Sequence, residues 1–250
     1  MSEKHPEISQ RQAKILAAIV KEYSNAPEPI GSEEINQKYR LGVSSATIRN
    51  EMMALERMGY IEQPHTSAGR VPTDLGYRYF VNELMKRFEL SLKEQSLLRG
   101  QLLRLQAQHQ EVGRNIARLL AEKTDQAAFA LLPEETSSAG LSNIFNQTNM
   151  DKREMVEIAE FFDNIDEYSE QIRASNEPGA LIGQEHHLAP LQNYSLIVSK
   201  VQLPSGKHGV IGVIGHKSMR YDKNLTLVEY VAKLLSGGLL LVLIVLSIKY

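Results

Sequence analysis

The segment from Leu41 to Thr73 restricts the fold of this chain more tightly than any other stretch. Within it, Val43, Ile48, Met52 and Leu55 recur at helical spacing, so one face of a helix is apolar and must be buried. Ser44 precedes that helix and fits an N-cap, its hydroxyl accepting from a free amide of the first turn. Gly59 follows and fits the left-handed residue that closes many helices. Next, Tyr60, Ile61 and Gln63 have strand character, Pro64 to Gly69 carry turn chemistry, and Val71 starts a return strand. Pro72 has no amide to give to a ladder and ends that strand, and Thr73 caps another helix.

Two further helices precede this unit. Ser9 and Gln12 form a capping-box pattern, after which Ile15, Leu16, Ile19, Val20 and Tyr23 make an apolar stripe on a helix predicted to run to about Ser24. Ala26 to Pro29 break it. Gly31 and Ser32 then cap a short helix through Lys38, with Glu33 and Glu34 placed to suit the helix dipole. Three helices and a hairpin within residues 1–88 specify a winged helix-turn-helix domain.

The face of the 44–58 helix opposite its apolar stripe carries Ser45, Thr47, Arg49 and Asn50, beside the capping Ser44. These are short or forked hydrogen-bonding groups suited to phosphates and to base edges in a major groove. At the hairpin tip His65, Thr66, Ser67 and Arg70 are phosphate and minor-groove contact types. The expected ligand is double-stranded DNA. The alternative is a winged module that docks a protein, since such folds also serve that use.

Charge narrows the first reading. Lys and Arg number 28 against 30 Asp and Glu, for a net charge of −2, so no basic domain marks the chain. Any positive surface must be local, gathered from Arg40, Arg49, Arg70, Arg78, Lys86 and Arg87, with Glu33, Glu34 and Glu56 turned away. A small phosphate footprint per subunit favours a homodimer spanning two half-sites.

The run from Leu41 to Thr73, with Gly76-Tyr77-Arg78-Tyr79 behind it, resembles the N-terminal domain of the HrcA family of bacterial heat-inducible transcription repressors. The resemblance implies binding to the inverted-repeat operator CIRCE ahead of chaperone operons, and a dependence on GroE-type chaperonin for activity. Further on, Ser142 to Phe145, Ile182 to Glu185, Gly209 to Gly215, Met219 to Tyr221 and Leu227 to Lys233 are similar to the later part of the family's GAF-like domain. Family members are expected to carry an inserted dimerisation module between the long helix and the Phe129 region. The chain resembles a shortened member lacking much of that centre.

Residues 73–88 continue as a helix, and 89–124 form a long linking helix. There Leu98, Leu102, Leu105, His109, Val112, Ile116 and Leu119 make a seam of about three heptads, either a coiled coil between copies or a helix packed on its own domain. Residues 125–250 alternate strands, at Phe129 to Leu132, Ser195 to Leu203 and His208 to Ile214, with helices at Asp151 to Ile172 and Leu225 to Leu235. The fold class is therefore α+β: an N-terminal winged helix-turn-helix, a long linking helix and a C-terminal GAF-like domain with an apolar tail.

Several functions are excluded. Zero cysteines remove disulfides, thiolate metal sites and cysteine nucleophiles. Met1 to Pro6 contain no apolar signal region, so the expected location is the cytoplasm. The apolar run Leu239 to Ile248 is too short to span a bilayer, which takes about 20 helical residues, and no membrane partner is expected. His186 and His187 are adjacent, lack partners at metal-ligand spacing, and read as solvated loop histidines. Gly209 to Gly215 lacks the phosphate-loop lysine and the dinucleotide fingerprint, so its glycines serve close packing. No nucleophile, base and orienting group assemble: neither an enzyme nor a cofactor or metal is expected.

Overall fold

The computed structural model describes residues 8–65, 68–107, 111–147, 150–174, 179–203 and 206–238. They form two compact units, one extending to Lys86 and taking in Lys217–Arg220, the other running from Arg87 to His216 and resuming at Tyr221.

The first unit begins with α1 (Gln10–Asn25), closed at its start by the reciprocal Ser9–Gln12 capping box. Ile15, Leu16, Ile19 and Val20 bury the stripe that their spacing demands. After α2 (Ser32–Tyr39) comes α3 (Ser45–Arg57), and Ile35, Ile48, Met52 and Leu55 join the same core. Ser44 caps α3 by accepting from the Thr47 amide at 3.2 Å. At the other end the Gly59 amide bonds the Glu56 carbonyl and the Tyr60 amide that of Leu55, with Gly59 at φ +80. That pairing satisfies two orphan carbonyls and turns the chain into the hairpin. β1 (Ile61–Glu62) and β2 (Val71–Pro72) pair antiparallel, Ile61 opposite Pro72 and Glu62 opposite Val71.

Thr73 caps α4 (Asp74–Tyr79), its hydroxyl accepting from the Gly76 amide and donating to the Gly59 carbonyl. The α-helix expected through residue 88 stops sooner, passing into a single π-helical turn at Phe80–Leu84. The tract 89–124 is likewise two helices, α5 (Leu92–Ala107) and α6 (Val112–Thr124), and Glu111 stands before α6 in the left-handed region at φ 56. A left-handed non-glycine residue ends helical propagation, so a heptad count cannot run through it. Leu98, Leu102, Ile116 and Leu119 are buried within this chain and are not free to pack on a second copy. Leu105 and His109 of the seam lie outside the residues whose side chains are described.

In the second unit, β3 (Ala127–Leu131), β4 (Thr136–Ala139), β5 (Gly179–Ile182), β6 (Tyr194–Gln202) and β7 (His208–His216) form one antiparallel sheet ordered β4-β3-β7-β6-β5. All five residues of β3 are buried, because both faces of the sheet are covered. On one face Phe129, Leu131, Leu196, Val198 and Ile214 pack with residues of α7 (Leu141–Gln147) and α8 (Lys152–Asp163), including Ile144, Ile158, Phe161 and Phe162. α6 and α10 (Tyr221–Lys233) contact the same strands. The helix expected from Asp151 to Ile172 breaks at Asn164 and resumes as α9 (Ser169–Ala174). Gly212 lies opposite Phe129 in the ladder, and a Cβ there would stand 2.6 Å from the Phe129 ring and 2.4 Å from the Ile197 carbonyl oxygen. Glycine in this strand thus serves close packing. Glu135 in the β3–β4 turn reaches across to α6, accepting from the Gly113 and Arg114 amides at 2.9 and 3.0 Å. It supplies the cap that Glu111 does not. The apolar run 239–248 lies outside the described residues.

The two adjacent histidines differ from the solvated pair expected. His187 is exposed, but His186 is buried, in a single 3-10 turn at Gly183–His186. The Leu188 amide donates to its Nδ1 at 3.1 Å, so the proton sits on Nε2, which donates to the Tyr194 carbonyl at 3.2 Å. Burial holds the imidazole below its ordinary pKa of 6.5. The unfolded chain therefore binds this proton first as the pH falls. Stability that is complete above about pH 6.5 should decline as the pH drops toward and through the folded-state value. Denaturant melts between about pH 7.5 and about pH 5 would show this loss, and His186→Gln should be less stable at the upper pH yet flatter across the range. A wild-type melt independent of pH over that interval would contradict it.

Candidate nucleic-acid interface

Helical geometry, at about 100° per residue, separates the polar residues of α3 into three directions. Glu51 faces α1, where Arg11 and Gln12 donate to its carboxylate at 3.3 and 3.0 Å. Thr47 lies on the flank near Glu51, its hydroxyl 3.0 Å from that of Ser44. On the opposite flank lie Ser45, half-buried, and Arg49, exposed, the latter sharing a cleft with Gln63 and Arg70 of the hairpin. Directly away from the core stands a row of four exposed residues, Ala46, Asn50, Met53 and Arg57. Of the four candidates on α3 only Asn50 belongs to that outermost row. Ala46, Met53 and Arg57 were not singled out by residue chemistry, although the helical face opposite Ile48, Met52 and Leu55 contains them.

The hairpin is held in place by contacts at its base. Arg70 and Ile30 form an isolated antiparallel bridge, each amide donating to the other's carbonyl at 2.9 Å. Gly69 makes this approach possible, since a Cβ on it would meet the Ile30 backbone at 2.4 Å. The Arg70 guanidinium donates to Glu56 Oε2 through Nε at 3.1 Å and Nη2 at 2.9 Å, fastening the wing to the last turn of α3. Glu56 therefore does not turn away from the cationic surface; it neutralises one member of it. Glu34 is also engaged, by Lys38 at 2.7 Å. Within the turn, Gln63 donates to the Ala68 carbonyl at 2.9 Å, and His65 is exposed. Thr66 and Ser67 lie outside the described residues.

Between α3, the wing and the start of α2 opens a cleft of about 410 Å³, bordered by Ser32, Arg49, Met53, Gln63, Gly69 and Arg70. The structure thus brings Arg49 and Arg70 to one cleft, sets Asn50 beyond it on the outward row, and keeps Ser44 and Thr47 at the helix start. Such an arrangement presents a helix with a polar and apolar outer row beside a braced hairpin, the form that enters a major groove while a wing meets the backbone.

Comparison with known proteins agrees with this form. Residues 7–86 match the family model described as the winged helix-turn-helix transcription repressor, HrcA DNA-binding. Residues 76–225 match the HrcA protein C terminal domain. The heat-inducible transcription repressor HrcA of Pelotomaculum thermopropionicum is 51% identical over 134 residues, 52% of this chain and 38% of that protein. Its counterpart in Desulforamulus reducens is 48% identical over 132 residues, again 38% of that protein. The matched stretch spans well under half the length of these relatives. A crystal structure described as a hypothetical protein superposes with a TM-score of 0.70 over 93% of this chain and 97% of its own, at 20% identity, a likeness of fold. With one model covering the winged unit and the other more than half of the chain, this protein belongs to the HrcA family.

Proposed function

We propose that the chain is a transcription repressor that occupies a CIRCE-type inverted repeat ahead of chaperone operons, bound as a homodimer in the cytoplasm. The observation that carries this reading is the coincidence of the HrcA DNA-binding match over residues 7–86 with an α3 whose outward row is exposed along its length. In this reading Ser44, Ser45 and Thr47 approach the backbone at the helix start, Arg49 and Asn50 reach base edges, and His65 and Thr66 meet phosphates at the wing tip. Arg70 contributes by positioning the wing through Glu56, beside the Arg49 that borders the same cleft. A GroE-type chaperonin is the partner expected to set the active fraction.

Gel shifts with a CIRCE duplex against a scrambled duplex of equal composition test the proposal. Binding of the repeat at least about a thousandfold tighter, the low end for specific recognition, is the expected result. Equal affinity for both duplexes overturns the repressor, and no affinity for either favours a winged module that docks protein.

A further inference from the structure

Among the described residues of the winged unit, Met53 is the one large hydrophobic side chain left exposed, at 45%. Scattered exposed apolar residues are ordinary on protein surfaces, so exposure alone means little. Its position gives it meaning. Met52, its neighbour in sequence, is 4% exposed and fills the core with Ile48 and Leu55, whereas Met53 points outward one turn beyond Asn50 and one turn before Arg57. Ala46, the other apolar member of the outward row, is also exposed. Polar groups on this row have hydrogen-bonding work available in a DNA groove; methyl and thioether groups do not.

The major groove presents one apolar feature, the C5-methyl group of thymine. An asparagine pairs in bidentate fashion with adenine N6 and N7, so a base pair read by Asn50 carries that methyl group on its thymine, and adjacent A·T pairs present more. Methionine suits such a contact because it is unbranched and polarizable, and so adapts to an irregular surface.

We infer that Met53 is a specificity-determining residue that packs on a thymine C5-methyl group of the operator, with Ala46 extending the apolar strip. The inference rests on the DNA-binding reading and refines it: base identity is read partly by shape and burial, beside the hydrogen bonds of Asn50. It requires no base-contacting charge from Met53 and leaves the salt dependence of binding untouched.

The experiment uses CIRCE duplexes in which each thymine is replaced in turn by deoxyuridine, which differs only by loss of the methyl group. Each duplex is titrated with the wild-type chain, Met53→Ala and Met53→Leu at one fixed salt concentration. For the wild type, one thymine per half-site should cost about fourfold in affinity on replacement, the amount that one buried methyl group contributes. Met53→Ala should bind the unmodified duplex more weakly and be indifferent to uracil at that position, while Met53→Leu keeps part of the discrimination. Thermal melts of the variants should match wild type, because Met53 is not a core residue. The same uracil penalties in wild type and Met53→Ala, or none in the wild type, would overturn the inference while leaving operator binding intact. Failure of the wild type to prefer CIRCE over scrambled DNA would instead remove the underlying reading, and the inference with it.

Discussion

A Gly76→Ala chain is expected to lose at least ~3 kcal/mol of stability, the upper range for overpacking, and with it specific DNA binding. A Cβ at Gly76 would lie 2.0 Å from the Tyr60 carbonyl oxygen and 3.1 Å from its carbon. Neither partner has an easy retreat. Tyr60 is fully buried, its amide is bonded to the Leu55 carbonyl where α3 closes, and its carbonyl accepts from the Thr73 amide at 3.2 Å. Gly76 itself receives the Thr73 cap at the start of α4. The added methyl group would therefore push α4 from the hairpin and disturb the end of α3 together. Chemical denaturation should show a lower midpoint with an unchanged slope. Gly100→Ala is the control: beyond the backbone of its own helix nothing lies within 4 Å of a Cβ placed there, it sits within α5, and it should be neutral or slightly stabilising. Equal midpoints for Gly76→Ala and wild type would mean that α4 slides away from Tyr60 without cost.

The second large effect separates two arginines that border one cleft. Arg49→Ala should weaken CIRCE binding by about 1–3 kcal/mol, or roughly fivefold to over a hundredfold, with the loss much smaller on scrambled DNA, as expected for a group that reaches a base edge. Arg70→Ala should act differently because its guanidinium is already held by Glu56. If that pair only braces the wing, affinity falls while the slope of log affinity against log salt stays near the wild-type value. A side chain that neutralised a phosphate would instead take about one unit from that slope. Titrations at three or more salt concentrations decide the matter. An Arg49→Ala chain with unaltered preference for CIRCE would end its role as a reader, and a slope reduced by one in Arg70→Ala would assign it to a phosphate.

The winged unit was legible in the amino-acid sequence because its signals are local. Ser9, Ser44 and Thr73 each cap the helix they precede, Gly59 takes the positive φ that ends α3, and Pro72 ends β2, so each of these boundaries lies within a few residues of its cause. Where the cause is distant, local pattern failed. The heptad spacing continues across residues 108–111, but Leu98 and Leu102 on one side and Ile116 and Leu119 on the other are buried within the chain's own second unit. β4, with the sequence Thr136-Ser137-Ser138-Ala139, lacks the alternation of a half-buried strand; it is an edge strand recruited by pairing with β3. His186 and His187 are identical in type, and only the surrounding Leu188 and Tyr194 distinguish the buried one from the exposed one. In the candidate site, residue chemistry pointed to Arg49 and Asn50 but was silent on Met53, which differs from the core Met52 only in its place on the helix and not in type. The Glu56–Arg70 pair joins the last turn of α3 to the far side of the hairpin, a contact that no local pattern specifies.

The two hydrogen bonds between Ile30 and Arg70 make the approach to α2 and the base of the wing one rigid piece. Much of the ordering entropy that a loose hairpin would lose on meeting a duplex has been spent during folding. The spacing between wing and helix thus becomes a fixed gauge, set before DNA arrives. Changes in the short Pro27–Ile30 segment, remote from any base, would then alter the gauge and mistune recognition without touching a single contact.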